Sequence, residues 1–221
     1  MTNRIVPRSA ALSGIVAVAL LFIGSALSGS SPDIGASRSE LVSWLADQRL
    51  TTGRYAGAFT ELIAILAMIV FASTLASVLR RGEGDHAILS NTAFGAGLLS
   101  AAIKLASVPA AFAALWRAKQ GVNPQLAAAL LDMNNAAFVL TWALDAVMLG
   151  AAAIVIVRSG ILPRWLGWFG AGTAVISLAT VPVAAQAPPL GILLTFVWLV
   201  AVSVVLVRGR ATVSHTVAIP A

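Results

Sequence analysis

Residues 138–157 read FVLTWALDAVMLGAAAIVIV. Nineteen of these twenty side chains carry no charge, and most are aliphatic or aromatic. As a helix the stretch is about 30 Å long, the thickness of a bilayer's hydrocarbon core. It is apolar on every side, so the alternation of a barrel strand does not describe it. Lipid is the solvent that suits it. In its middle stands one carboxylate, Asp145. A charge at the bilayer centre costs on the order of 2.5–3.5 kcal/mol even on the mildest scale. Asp145 must therefore face inward, toward partners on other helices.

The rest of the chain agrees. Its 221 residues are 59% hydrophobic and 10% charged, with a mean hydropathy of +0.94. A soluble domain typically carries about 25% charged residues. Six runs are long enough to span, at 10–28, 55–79, 87–116, 132–157, 165–185 and 190–207. In lipid the backbone must satisfy its own hydrogen bonds, so these runs are expected to be helices. The fold class that follows is all-α: a polytopic membrane helix bundle of six transmembrane helices plus a short amphipathic outer helix. One domain is expected over residues 1–210, with a disordered cytoplasmic tail at 211–221.

The net charge is +6, and the arginines sit singly or in pairs between apolar runs. No basic stripe forms, so nucleic acid is not an expected partner. The cations instead set topology. With the N-terminus inside, the cytoplasmic segments hold eight: Arg4, Arg8, Arg80, Arg81, Arg158, Arg164, Arg208 and Arg210. The outer segments hold five: Arg38, Arg49, Arg54, Arg117 and Lys119. The positive-inside rule then places both termini in the cytoplasm, in the plasma (cytoplasmic) membrane. Arg4, Arg8 and the first apolar run also fit a cleaved signal peptide, the rival reading, which would leave five helices.

The longest outer connection, SPDIGASRSELVSWLADQRL at 31–50, contains Ser37 and Glu40 at capping-box spacing. Leu41, Trp44 and Leu45 then share one helical face, as in a helix lying on the membrane or closing over the bundle. Gly24 with Ser28, and Gly53 with Gly57, form small-xxx-small pairs that allow close helix contact. Trp116, Trp165 and Trp168 stand at span ends, as an aromatic belt requires.

Chemistry must come from few residues. The chain has no cysteine and two histidines, His86 and His215, so no disulfide, thiolate or histidine-based zinc site can be built. The RRGEGDH turn lacks metal-ligand spacing and reads as a solvated loop. No phosphate loop, nucleophile elbow or HExxH motif occurs. Neither a cofactor nor a metal is expected, and no nucleophile–base set argues for an enzyme.

Four ionisable residues fall within the runs: Glu61, Lys104, Asp132 and Asp145. Counted from the span ends, Glu61 lies roughly 9 Å deep from Tyr55, Lys104 roughly 18 Å from Trp116, and Asp145 roughly 20 Å from Asp132. Lys104 and Asp145 then share a level and are expected to pair. Asp132 suits the cap of its helix. Asn134 and Asn135 add polarity to the same outer mouth, and Trp142 lies one turn from Asp145, where it could wall a pocket. The expected site is Glu61, Lys104, Asp145, Asp132, Asn135 and Trp142, in the outer half of the bundle. It would serve a small transporter or ligand-binding protein, taking a cation, a proton or another small polar ligand. The alternatives are an ion pair that only fixes helix register, and a non-catalytic scaffold or accessory subunit holding a membrane protein partner.

The most distinctive local run is VRSGILPRWLGWFG, at 157–170. Gly160 ends one span, Pro163 opens the next, Arg164 marks the inner face, and Trp165 and Trp168 anchor the following helix. This turn resembles the one before the fifth helix in a family of uncharacterised six-helix bacterial integral membrane proteins, which has the same Leu-Pro-Arg-Trp-Leu run. Glu61 in FTELIAIL is similar to that family's early glutamate in its second helix. The resemblance implies the six-helix fold and the bacterial inner membrane. It implies no activity, and Lys104 and Asp145 match no pattern in it.

Overall fold

The computed structural model describes residues 7–29, 36–47, 52–119, 124–184 and 189–209. Among these are seven α-helices: α1 (Arg8–Ser28), α2 (Arg38–Asp47), α3 (Thr52–Glu83), α4 (Ile88–Lys119), α5 (Pro124–Ser159), α6 (Arg164–Thr180) and α7 (Leu190–Val207). All but α2 are long and apolar enough to cross a membrane. The chain is an all-helical, multi-pass membrane protein. Its perimeter fits that solvent: Phe59, Trp168, Val175 and Val197 are each more than half exposed. The residues of the expected tail, 211–221, lie outside the described ones.

The six long helices form a closed ring in chain order. Each packs against the next, α1 against α3 and onward to α7, which returns to α1. Neighbours run antiparallel, as their facing residues show: Gly14 meets Phe71, Gly97 meets Met148, and Gly191 meets Ser177. We call the face where α1 starts and α7 ends basal, and the opposite face apical.

Between helices in lipid there is little hydrophobic driving force, so close contact does the work. The α1–α3 seam shows how. A Cβ on Gly24 would come within 2.9 Å of the Gly57 carbonyl oxygen, and one on Gly57 within 2.7 Å of the Gly24 oxygen. Gly24 and Ser28 of one small-xxx-small pair thus meet Gly57 of the other at one helix crossing.

The basal half is filled. Phe71, Leu75 and Leu79 of α3 pack with Met148, Leu149 and Ile156 of α5, Leu166 of α6, and Trp198 and Leu199 of α7, all at most 1% exposed. The Trp198 indole N–H donates to the Leu166 carbonyl at 2.9 Å, so even this polar atom is satisfied.

The basal turns are tied down as well. Glu83 is not merely solvated, as the sequence suggested. Its carboxylate accepts the Leu89 and Ser90 amides at 2.7 Å each and caps α4. Gly160 ends α5 at φ +66°, a conformation only glycine adopts freely, and its N–H reaches the Ile156 carbonyl at 2.9 Å.

Candidate functional site

The apical half holds a partly open cavity of about 400 Å³. Among the described residues, every long helix but α6 contributes to its wall. Phe22, Ser25 and Ser28 come from α1, Arg54, Ala58 and Glu61 from α3, Lys104, Val108 and Phe112 from α4, Asn134, Asn135 and Phe138 from α5, and Phe196 from α7. Trp44 of α2 lines it too.

Three ionisable side chains meet there. Arg54 is 7% exposed, and its Nη1 is buried without a hydrogen-bond partner among the described residues. The guanidinium lies under the Trp44 ring, 5.0 Å from the centroid. Lys104 Nζ lies 5.1 Å from the centre of the Phe138 ring. Its charge partner is Glu61, although no salt bridge closes between them. Glu61 reaches the wall because α1 makes room: a Cβ on Gly24 would sit 2.6 Å from the Glu61 Cγ.

Among the described residues two cations thus face one carboxylate. A guanidinium keeps its charge in proteins, so Arg54 remains cationic whatever proton Glu61 and Lys104 exchange. Aromatic faces attract both cations without neutralising them. The cavity therefore carries an excess of positive charge in a low dielectric, where such a charge acts strongly.

Helix α2 covers the apical end. The Ser37 amide donates to the Glu40 carboxylate at 2.8 Å, and the Glu40 amide returns a bond to the Ser37 hydroxyl at 3.2 Å. This is the reciprocal capping box read from the sequence. The amide and hydroxyl of Ser37 hold the Glu40 carboxyl below the ordinary range. Trp44 packs on a small apical cluster of Ala114, Ala127 and Leu131. The side chains of Leu41 and Leu45, expected on the same face, lie outside the described ones.

The structure divides the six sequence candidates. Glu61, Lys104 and Asn135 line the cavity. Asp145, Asp132 and Trp142 are not among its lining residues. The expected Lys104–Asp145 pair is corrected. Asp145 is buried beside the Ser100 hydroxyl, one turn of α4 basal of Lys104, while the long Lys104 side chain turns apically to Glu61 and Phe138. The reason lies in helix length. The α4–α5 connection begins after Lys119 and ends at Pro124, not at Trp116 and Asp132, so counting from the latter pair put Asp145 too near the apical surface. Trp142 is core, 3% exposed and edge-on to Phe138.

Arg54 is the residue that sequence reasoning missed. It was counted as a loop cation, yet α3 starts at Thr52 and carries it inward. The signal was its place one turn before Gly57 on the same helix, at a seam already marked for close packing.

Neither a curated protein nor a solved structure matches the chain. A family model does, described as a domain of unknown function (DUF4386), over residues 49–209. The matched stretch runs from α3 to α7 and holds Arg54, Glu61, Lys104 and Asn135, while α1 and α2 precede it. With six spans, and with most of its length under that match, the chain belongs to the DUF4386 family of membrane proteins.

Proposed function

We propose that this membrane protein binds a small anionic ligand in its apical cavity. The observation that carries the reading is the buried Arg54, incompletely hydrogen-bonded, sharing one cavity with Lys104 against Glu61, the single carboxylate among its described lining residues. Unpaired buried charge is costly, and a bound anion would repay that cost. The sequence alone allowed a cation or a proton. Adding Arg54 to the wall reverses the preferred sign. On the positive-inside count the apical face is the external one, in the cytoplasmic membrane, with the basal face inside. Binding is favoured over a scaffold role, because a scaffold needs no hollow interior. It is also favoured over conduction, because the basal core beneath the cavity is packed.

The test is thermal unfolding of the purified protein in detergent, with acetate, succinate and phosphate against choline as the cationic control. A ligand at about 100 times its Kd stabilises by about 2.7 kcal/mol. Anions should raise the Tm and choline should not. Arg54→Gln and Lys104→Met should each abolish the shift. Equal shifts in wild type and both variants, or a shift with choline alone, would refute an anion site.

A further inference from the structure

A second cavity, of about 530 Å³, lies on the α3–α4 seam. Phe59, Leu62, Leu105 and Pro109 line it, and it holds no charged side chain. It shares Ala58, Val108 and Phe112 with the charged cavity, so these three side chains are the partition between the two. Phe59 and Leu62 are 62% and 39% exposed, which puts the groove at the perimeter, against lipid. The neighbouring α1–α3 seam is shut at this level: Gly24 and Gly57 bring the two backbones together. On the α3–α4 seam, closed basally where Gly97 meets Ala72 and Arg80 donates to Asn91, the apical end carries a stacked pair, Tyr55 on Phe112, with ring centroids 6.0 Å apart.

Resting on the reading of the cavity as an anion site, we infer that its occupant is an anionic lipid of the surrounding bilayer, which reaches Arg54 and Lys104 sideways between α3 and α4. An apolar groove open to acyl chains does not stay empty. A cationic chamber directly behind it completes the chemistry of an amphiphile, with a chain in the groove and a negative headgroup inside. Arg54, two residues into α3, stands at headgroup depth, and basic pockets between spanning helices suit anionic headgroups. A soluble anion would arrive through the apical end, where α2 places Trp44 over the opening, and would leave the groove without a use.

The experiment uses the full chain reconstituted into nanodiscs of mixed phosphatidylglycerol and phosphatidylcholine with identical acyl chains. After transfer to detergent, native mass spectrometry reads the retained lipid. Phosphatidylglycerol should be kept over phosphatidylcholine by about tenfold or more, a preference lost in Arg54→Gln and Lys104→Met. Ala58→Trp, which blocks the partition and leaves both cations in place, should lose it equally. Leu105→Trp on the groove side serves if that variant does not fold. Equal retention of the two lipids, with acetate raising the Tm of wild type and Ala58→Trp alike, overturns the lateral route and keeps the anion site. No effect of either lipid or acetate that responds to Arg54→Gln overturns both.

Discussion

The basal and apical halves of this bundle are built from the same six helices and the same kinds of residue, yet one is solid and the other hollow. In the basal half, Phe71, Trp198 and Leu149 interdigitate and the Trp198 indole N–H finds a carbonyl, although the buried Ser203 hydroxyl has no partner among the described residues. In the apical half, Phe22, Phe138 and Phe196 stand around space, and the Arg54 Nη1 is buried without a hydrogen-bond partner among the described residues. Large side chains are thus not sufficient for a packed core. What differs is polarity. The basal cluster is built of aromatic and aliphatic groups, with Asp145 buried beside Ser100 above it, whereas the apical cavity is lined by Arg54, Glu61 and Lys104.

If that contrast is real, truncation should hurt the two halves unequally. Trp198→Ala should cost about 3–5 kcal/mol in reversible unfolding, through lost contacts and a lost hydrogen bond. Phe138→Ala should cost about half as much or less, because its ring already lacks partner atoms on the cavity side. Equal costs would break the comparison.

The next effect concerns the seam that closes one side of the cavity. Gly57→Ala forces α1 and α3 apart and should cost about 1–3 kcal/mol, with anion affinity falling as Glu61 shifts. Gly95→Ala, where a Cβ meets open space, should instead stabilise by up to about 1 kcal/mol through helix propensity. The same unfolding measurement checks both.

Double-mutant cycles sharpen the electrostatics. Glu61→Gln and Lys104→Met should couple by about 0.5–1 kcal/mol. Lys104→Met and Asp145→Asn should add within about 0.5 kcal/mol, since Asp145 sits a turn away beside Ser100. Strong coupling of the second pair would restore the ion pair expected from sequence.

The smallest expected effect is at the lid. Glu40 titrates below the value of a free glutamate because Ser37 hydrogen-bonds its ionised form. The stabilisation of α2 is therefore present above about pH 4.3 and is lost as pH falls through the lowered folded value. A nitroxide at Val42→Cys, the sole thiol in this cysteine-free chain, should gain mobility over that window. In Glu40→Gln, with no carboxyl left to titrate at the cap, its mobility should not change over that window.

How much of this was legible in the sequence follows from what apolarity can measure. The six spans, the capping box at Ser37 and Glu40, and the glycines of the α1–α3 crossing all reside in local pattern. Depth does not. The apolar runs end where polar residues begin, but α4 and α5 continue past Trp116 and Asp132. A few residues of extra helix on each side moved Asp145 a full turn against Lys104. The same effect hid Arg54, because a cation beyond the apolar edge looks like a loop residue until the helix is seen to start before it. Partnership between helices depends on register, and register is set by contacts such as Gly97 on Met148 that no single segment encodes.

The ring's closure between α1 and α7, made where Gly14 faces Ser203 and Phe22 meets Phe196 edge-on, has a consequence for biosynthesis. Helix α1 leaves the ribosome before α7 and must wait for it before its second flank is covered. Until then Phe196 is missing from the chamber wall, and bilayer lipid can flow through the gap. A molecule already lodged beside Arg54 at that moment would be walled in on that flank by the arrival of α7, which leaves the α3–α4 side as its way in and out.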